Sequence, residues 1–212
     1  ILEAEGLRAA VGDVCKIVPA GDAKPVLAEV VGFTQKRLKL SPLTHLSGIA
    51  PGDLVRIHRQ AACIALHASL LGRVIDGMGE PIDGRGPLQK GIAYPLTGNV
   101  SNCMARPVIE EQLDVGIRCI NSLLPIGKGQ RMGIFAGSGV GKSTLLGMMA
   151  RYTSADVNVI ALIGERGREV NEFIEGELGA EGLEHSVVVV VTSDQPPTVR
   201  MRGAYIACAV AE

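Results

Sequence analysis

Short apolar stretches broken by turn residues fill the first 68 positions of the chain. The short β segments are 28–32, 37–40 and 54–57; polar and apolar residues alternate over 37–40, and Pro51-Gly52-Asp53 precedes the last segment. Such alternation is typical of half-buried β-strands, and several short strands at this spacing predict a small barrel. We therefore expect an N-terminal β-barrel over residues 1–69.

The next segment, residues 70–106, has a different pattern. Turn dipeptides such as Asp76-Gly77, Asp83-Gly84 and Gly86-Pro87 interrupt it, and no helical or strand period survives through them. Gly and Pro at this density are typical of loops. The segment is predicted to be a Gly/Pro-rich connector.

From residue 107 onward, apolar runs alternate with helical stretches. The three predicted pairs of strand and helix are 133–136 with 142–152, 157–163 with 168–178, and 187–191 with 198–212. Strands that alternate with helices predict a parallel sheet with helices on both of its faces. Residues 107–212 are thus predicted to be an α/β domain.

Composition excludes several classes of protein. The 21 basic and 22 acidic residues leave a net charge of −1, so no strong field attracts nucleic acid or an anionic membrane. No apolar run approaches the roughly 20 residues that cross a bilayer, and no secretion signal opens the chain. The five cysteines contain no Cys-x-x-Cys pair, which favours reduced thiols. A cytosolic protein is expected.

The ends of the sequence give a further expectation. The chain begins with Ile1 rather than Met, and its last predicted helix stops at Glu212 with no Gly or Asn cap and no following strand. We expect the sequence to be a fragment of a longer protein, with its α/β domain incomplete at the C-terminal end.

The strongest motif is a phosphate-binding loop. An apolar run at 133–136 leads into a glycine-rich turn and then into the helix at 142–152. Glycines let backbone N–H groups converge on an anion, and the helix directs its positive end at the same place. Ala136 replaces the usual first glycine of the motif, which adds only a methyl group. The expected nucleotide ligands are Gly137, Ser138, Gly139, Val140, Gly141, Lys142, Ser143 and Thr144.

Individual roles follow from the chemistry of these side chains. Lys142 supplies a cation for the β- and γ-phosphates, and the Ser143 hydroxyl is the expected Mg²⁺ ligand. We expect Thr144, behind them, to pack or cap. The evenly spaced Gly137, Gly139 and Gly141 do not match a dinucleotide fingerprint.

A second motif, Gly164-Glu165-Arg166-Gly167-Arg168-Glu169, follows the predicted strand at 157–163. Ligands of open α/β sheets bind at the carboxyl ends of strands, so Glu165 is expected to share a crevice with Lys142. Glu165 is the candidate that orients or deprotonates an attacking water, with Arg166 holding Glu165 or a nucleotide oxygen. The alternative is that these charged residues form an exposed ion-pair cluster worth little.

A third strand end leads from Thr192 to Arg200 and is expected at the same rim. Arg200 or Arg202 either reaches the nucleotide or a neighbouring subunit, or lies on a solvated helix face.

Taken together, these motifs resemble a known family. The set comprises 71–79 (LGRVIDGMG), 81–84 (PIDG), 113–118 (LDVGIR), 123–131 (LLPIGKGQR), the loop at 136–144 and 164–170 (GERGREV). It resembles the flagellar export ATPase and its type III secretion relatives, which are in turn similar to the rotary ATP synthase catalytic β subunit. The resemblance covers essentially the whole chain and implies a RecA-like P-loop NTPase fold.

The resemblance also implies a function. It implies a subunit of a hexameric ring at the cytoplasmic face of a bacterial membrane, which hydrolyses ATP with Mg²⁺ to energise protein export. Lys142 and Ser143 match the family's phosphate and Mg²⁺ ligands, and Glu165 matches its catalytic carboxylate. Implied partners are a stator-like regulator, central stalk proteins and complexes of export chaperones with cargo.

The same resemblance implies that some elements lie beyond Glu212. They are the Asp-ended strand that completes the Mg²⁺ site, the arginine inserted by a neighbouring subunit and the C-terminal helical region that grips cargo. An arginine finger contributes about 10³ to 10⁵ in kcat, so residues 1–212 alone are expected to be inactive.

Two other functions remain as alternatives. A Rho-like RNA-translocating hexamer also joins a small barrel to such an ATPase core, but the near-zero net charge and 3% aromatic residues do not favour single-stranded RNA binding. The other alternative is a rotary proton-translocating ATP synthase subunit. The sequence GREV at 167–170 and Ala136 in the loop make it less favoured.

Overall fold

The computed structural model describes residues 1–20, 23–59, 62–98, 102–137 and 139–212. Its N-terminal part is a five-stranded antiparallel sheet in the order β1-β4-β3-β2-β5. The strands are β1 (Leu2–Glu5), β2 (Val14–Val18), β3 (Val26–Thr34), β4 (Arg37–Pro42) and β5 (Leu54–Arg59). The predicted β-structure is confirmed as a curled sheet that has β1 and β5 at its edges.

Alternation of side chains explains why this sheet curls around its own core. Every second residue of the central strands is buried, and Cys15, Ala28 and Val30 are fully inaccessible. Register shifts interrupt the ladders between Val14 and Cys15 and between Val30 and Gly32. Such irregularities bend a strand and increase its twist, which folds the sheet over its apolar face.

The C-terminal part contains a parallel sheet in the order β11-β12-β7. These strands are β7 (Val74–Ile75), β11 (Asn158–Ile163) and β12 (Ser186–Val191). All six residues of β12 are buried, as expected for a central parallel strand that is covered on both faces. The sequence pattern predicted β11 and β12 to within one residue.

Helices cover both faces of this sheet, as predicted. Helix α5 (Pro197–Ala211) packs Ile206 and Ala207 against Val187 and Val189 of one face. The other face lies under α3 (Gly167–Glu172), a π-helical turn (Phe173–Leu178) and α4 (Gly179–Glu184). The fold is therefore the expected α/β fold, preceded by an antiparallel sheet.

Smaller elements complete the described chain. Strands β6 (Cys63–Leu66) and β8 (Ile92–Pro95) form one antiparallel pair, and β9 (Gln112–Leu113) and β10 (Ile126–Gly127) form another. The remaining helices are α1 (Arg118–Leu123) and α2 (Lys142–Tyr152), with 3-10 turns at Ala68–Leu70 and Cys103–Ala105. No helix in the described ranges is long and apolar enough to cross a membrane.

The strand predicted at 133–136 is wrong for this structure. Residues 131–137 form neither helix nor strand and pair with no described strand, and Phe135 is 97% exposed. A strand needs a neighbouring ladder, and β11 pairs only with β12 in the described part of the chain. The apolar run therefore leads into the loop as unpaired backbone.

The segment predicted as a connector contributes to the parallel sheet. Its residues Val74 and Ile75 pair with Val188 and Val189 of β12. Just before them, Arg73 donates through Nε and Nη2 to the Asp83 carboxylate at 2.5 and 2.8 Å, which closes the turn-rich loop on itself. The divisions at 69/70 and 106/107 stay predictions.

Candidate functional site

Backbone geometry prepares the glycine-rich loop for an anion. Gly139 and Gly141 have φ values of 76° and 94°, in the left-handed region that favours glycine. Gly141 is the N-cap of α2, and Lys142 is the first helical residue. Ser138, also a predicted ligand, lies outside the described residues. The loop thus turns directly into a helix N-terminus.

The start of α2 favours a negatively charged ligand. No side chain of the described residues caps this helix, and its first turn contains no acidic residue. Its first N–H groups and its positive dipole end therefore remain available for phosphate oxygens. Lys142, Ser143 and Thr144 are all exposed, so the ligand-binding groups face solvent.

Glu165 lies at the carboxyl end of β11, where sheet topology predicts it. Gly164, with φ 79°, donates its N–H to the Val191 carbonyl at 2.7 Å, and the Glu165 carbonyl accepts from Ser193 N–H at 2.9 Å. These bonds fix the end of β11 beside the end of β12. The Glu165 side chain is half-buried.

Both motifs line one cavity of about 660 Å³. The lining residues are Ala136, Gly137, Gly139, Gly141, Lys142, Ser143, Thr144, Gly164, Glu165, Arg166, Glu169, Glu172, Phe173 and Glu177. The structure therefore brings Lys142, Ser143, Glu165 and Arg166 together as the sequence predicts. Val140 does not line this cavity, and its side chain is 68% exposed.

Arg166 has a different partner from the one expected. Its Nη1 lies 3.3 Å from Oε1 of Glu169, and these side chains are 78% and 41% exposed. Arg168 pairs in the same way with Glu172, at 3.5 Å. The ion-pair alternative thus describes Arg166 and Arg168 in this structure, and such exposed pairs contribute little stability.

The charges that line the cavity suit a nucleotide accompanied by a divalent cation. Lys142 and Arg166 are its cations, whereas Glu165, Glu169, Glu172 and Glu177 are carboxylates. A polyphosphate in such a cavity needs an additional positive charge. Mg²⁺ usually binds through one or two protein oxygens together with phosphates and water, and the Ser143 hydroxyl and these carboxylates are ligands of that class. The described residues contain no preformed cluster of three metal ligands.

Sequence reasoning missed Glu169, Glu172, Phe173 and Glu177 as cavity residues. Thr144, expected to pack or cap, donates its Oγ1 hydroxyl to Oε1 of Glu177 at 2.7 Å. A signal was available, because Glu169, Phe173 and Glu177 recur every fourth residue after Glu165. On a helix that begins at the strand end, such spacing places side chains on one face.

The position of Arg202 matches neither alternative predicted from the sequence, a contact with the nucleotide or a neighbouring subunit or a place on a solvated helix face. Its side chain is only 2% exposed, and its Nη1 lies 3.7 Å from Oε2 of Glu29 in β3. Arg200 is half-buried, and neither arginine lines the cavity. The segment after β12 therefore contacts the candidate site through the Ser193 N–H, whereas Thr198 and Arg202 further along contact the antiparallel sheet.

A parallel sheet, a glycine-rich loop at a helix N-terminus and a carboxylate at the next strand end define a P-loop nucleotide-binding protein. Residues 116–212 match the ATP synthase alpha/beta family, nucleotide-binding domain. The whole chain is 51% identical to the flagellum-specific ATP synthase of Bacillus subtilis and 44% identical to the type 3 secretion system ATPase of Xanthomonas euvesicatoria. Over its full length the chain is therefore similar to flagellum-specific and type III secretion ATPases.

A solved structure agrees with this assignment. The assembled ATPase EscN, in complex with its central stalk EscO from the type III secretion system of enteropathogenic E. coli, superposes with a TM-score of 0.89. That match has 41% sequence identity and covers 99% of this chain and 51% of EscN. The family resemblance drawn from the motifs is confirmed. The chain spans about half the length of these relatives, with 49% and 48% of the two sequence matches covered.

Proposed function

We propose that this chain contains the nucleotide-binding core of an ATPase that energises protein export. The observation that carries the proposal is the shared cavity, in which the Lys142 end of α2 faces Glu165 at the end of β11. One wall is suited to holding phosphates, and the other presents a carboxylate for the attacking water.

Each residue has a defined part in the proposed reaction. The N–H groups that follow Gly139 and the Lys142 ammonium hold the β- and γ-phosphates of ATP. The Ser143 hydroxyl, with a cavity carboxylate, holds Mg²⁺, which when bound neutralises phosphate charge. Glu165 orients a water for in-line attack on the γ-phosphorus and accepts its proton. The bond to the bridging oxygen breaks, which leaves ADP and phosphate.

Arg166 is the third proposed catalytic residue. Its guanidinium lines the cavity, is 78% exposed and is held only by an exposed ion pair with Glu169. Such pairs exchange readily because solvent screens them. Arg166 is therefore able to turn toward a phosphate oxygen when nucleotide binds.

We propose that the whole protein acts as a homo-hexameric ring with a central stalk partner, as the relatives' assembly supports. Its other proposed partners are a stator-like regulator and complexes of export chaperones with cargo at the cytoplasmic face of the membrane. Export through the flagellar system is favoured over an injectisome, because flagellum-specific relatives reach 51% identity and the type III secretion relative 44%.

Substitution of Glu165 tests the proposal. Glu165→Gln in the whole protein keeps size and hydrogen-bonding capacity but removes the base, so steady-state ATP hydrolysis should fall by about 10² or more while nucleotide binding is retained. Glu175→Gln is the matched control, since Glu175 is exposed on the helical stretch that follows Glu165 and does not line the cavity. Unchanged turnover in Glu165→Gln would remove Glu165 from the mechanism.

RNA translocation is tested separately. Filter binding with labelled single-stranded RNA at low salt is expected to give no retention, since the net charge is −1 and only 3% of residues are aromatic. Salt-sensitive retention of RNA would favour the Rho-like alternative.

A further inference from the structure

Helix α2 and the π-helical turn Phe173–Leu178 are in close contact across the candidate site. An added Cβ at Gly147 of α2 would lie 2.7 Å from both the Cβ and the carbonyl oxygen of Glu177. One turn earlier on α2, Thr144 donates its hydroxyl to the Glu177 carboxylate at 2.7 Å. Glu177 therefore contacts α2 at two points, once by packing and once by a hydrogen bond.

The hydrogen bond distinguishes two adjacent hydroxyl groups. Ser143 and Thr144 both lie in the first turn of α2 and both line the cavity. Successive helical residues point about 100° apart, so anchoring one of them fixes the direction of the other. Because the Thr144 hydroxyl is directed to Glu177, Ser143 is left to face the phosphate site.

The position of Glu177 connects the two walls of the cavity. The stretch α3, π turn and α4 begins at Gly167, two residues after Glu165. A π turn inserts an extra residue into a helix and changes which face the following side chains occupy, and such turns are frequent at functional sites. Here the turn carries Glu177 to the first turn of the phosphate-binding helix.

We propose that Glu177 is a positioning residue that acts through Thr144. Its carboxylate holds the first turn of α2 in the rotation that presents Ser143 to Mg²⁺ and Lys142 to the phosphates. It also ties that turn to the helical segment that follows the catalytic carboxylate Glu165. This role rests on the proposed function of the cavity as an Mg-ATP site.

The hydroxyl of Thr144 is the most direct point of test. Thr144→Val keeps the branched shape and removes the hydrogen bond, and Thr144→Ser restores a hydroxyl. In the whole protein, Thr144→Val should lower kcat by about 10- to 100-fold and raise the Mg²⁺ concentration needed for half-maximal hydrolysis, because displacements of about 1 Å have effects of that size. Affinity for Mg-free ADP should change by less than about threefold, since the backbone N–H groups and Lys142 remain. Thr144→Ser should return kcat and the Mg²⁺ requirement to near wild-type values.

A matched control lies at the other end of the same helix. Thr153 follows α2 and donates its hydroxyl to the Asp114 carbonyl at 3.0 Å, away from the cavity. Thr153→Val removes the hydrogen bond to Asp114 and the one that the hydroxyl accepts from the Ala155 N–H, so a merely structural effect should appear in both variants. Only Thr144→Val should alter the Mg²⁺ requirement.

Glu177 is tested by a double-mutant cycle. Glu177→Ala should reproduce the Thr144→Val phenotype, and the double variant should be no worse than either single variant, since both remove the same interaction. If Glu177→Ala fails to fold, Glu177→Met, which keeps most of the side-chain volume but has no oxygen acceptor, replaces it in the cycle. The comparison of Thr144→Val with Thr144→Ser tests the proposal independently. Additive losses, or a Thr144→Val enzyme with wild-type kcat and Mg²⁺ requirement, would overturn the proposal. Absence of nucleotide binding in the wild-type protein would overturn the proposed function itself.

Discussion

Arg202 of α5 and Glu29 of β3 form an ion pair with 3.7 Å between Nη1 and Oε2. The pair joins the α/β domain to the antiparallel sheet, beside an apolar contact of Val14 and Leu43 with Val191 and Val199. Nearby, Thr198 donates its hydroxyl to the Pro42 carbonyl at 3.0 Å. Burial raises the pKa of the Glu29 carboxyl, and the Arg202 guanidinium opposes that rise.

Removing the arginine should destabilise the junction between the two sheets. Arg202→Met keeps much of the buried volume but leaves the Glu29 carboxylate in a partly buried place without this cation. The free energy of unfolding should fall by roughly 1–3 kcal/mol. This is less than the ~3–5 kcal/mol typical of breaking a fully buried pair, because the Glu29 side chain is 24% exposed. Urea unfolding at neutral pH measures the change.

Arg37→Met provides the control for that measurement. Arg37 also pairs with carboxylates of this antiparallel sheet, but its side chain is 57% exposed, so its loss should change stability by no more than about 1 kcal/mol. Equal stability of the Arg202→Met variant and the wild-type protein would show that the ion pair does not hold the junction.

Arg202 also illustrates what the sequence cannot reveal. Its position after the third strand end indicated a role at the nucleotide or on a solvated face, because local pattern gives no information about a partner 173 residues earlier in β3. The same applies to β7, where only Val74 and Ile75 form the strand. Two residues are too few to show a period, and only pairing with β12 makes them a strand.

The Arg73–Asp83 pair should make stability depend on pH. The Asp83 carboxylate accepts hydrogen bonds from the Arg73 side chain and from the Arg85 and Val74 N–H groups. These bonds hold the pKa of the Asp83 carboxyl well below its usual range. A carboxyl with a depressed folded pKa contributes stability above its unfolded pKa of about 3.9, and this contribution is lost as pH falls toward the folded value. Asp83→Asn should therefore be less stable than wild type at pH 7, and the difference should shrink below about pH 4.

Unfolding by urea at several pH values between 7 and 2.5 tests this expectation. Glu111→Gln is the control, because Glu111 forms an exposed pair with Lys128 in which the two side chains are 73% and 58% exposed. Its effect should be small throughout. A gap between wild type and Asp83→Asn that stays constant across the range would contradict the assigned cause.

Close packing of α2 on the π turn gives a test that uses two glycines. Gly147→Ala places a methyl group 2.7 Å from the backbone carbonyl oxygen of Glu177, so one helix must shift, at about 1–3 kcal/mol of stability. Gly176→Ala, in the π turn itself, meets no atom within 4 Å and should be neutral or stabilising by up to about 1 kcal/mol. Thermal unfolding compares the two variants, and equal stability would contradict the packing described.

The fold class and the residues that share the cavity were predictable from the sequence, whereas the roles of Lys142 and Glu165 stay predictions. Their common location followed because a phosphate-binding loop and a strand-end carboxylate each occupy a fixed place relative to a strand or helix. The strand at 133–136 was predicted from the same apolar signal that correctly located β11 and β12. The failure there has a physical cause, since a strand depends on a neighbouring ladder that its own residues do not encode.

The sequence motifs did not predict that Glu177 belongs to the site. It lies beyond the 164–170 motif, and its contact with Thr144 depends on a π turn that no residue type in 173–178 signals. The recurrence of Glu169, Phe173 and Glu177 every fourth position indicated which helix face lines the cavity. It did not indicate that Glu177 contacts Thr144. Sequence thus identified the chemical groups, and only the packing of α2 revealed how they are held.

Calorimetric titration of the whole protein with Mg-ADP and with a non-hydrolysable Mg-ATP analogue tests the central claim most directly. Wild-type protein should bind both nucleotides, and Lys142→Ala should weaken binding of the ATP analogue by about tenfold or more. Lys128→Ala, which removes an exposed cation paired with Glu111 outside the cavity lining, should bind like wild type. Absence of binding heat from the wild-type protein, or identical affinities in Lys142→Ala and wild type, would contradict the account.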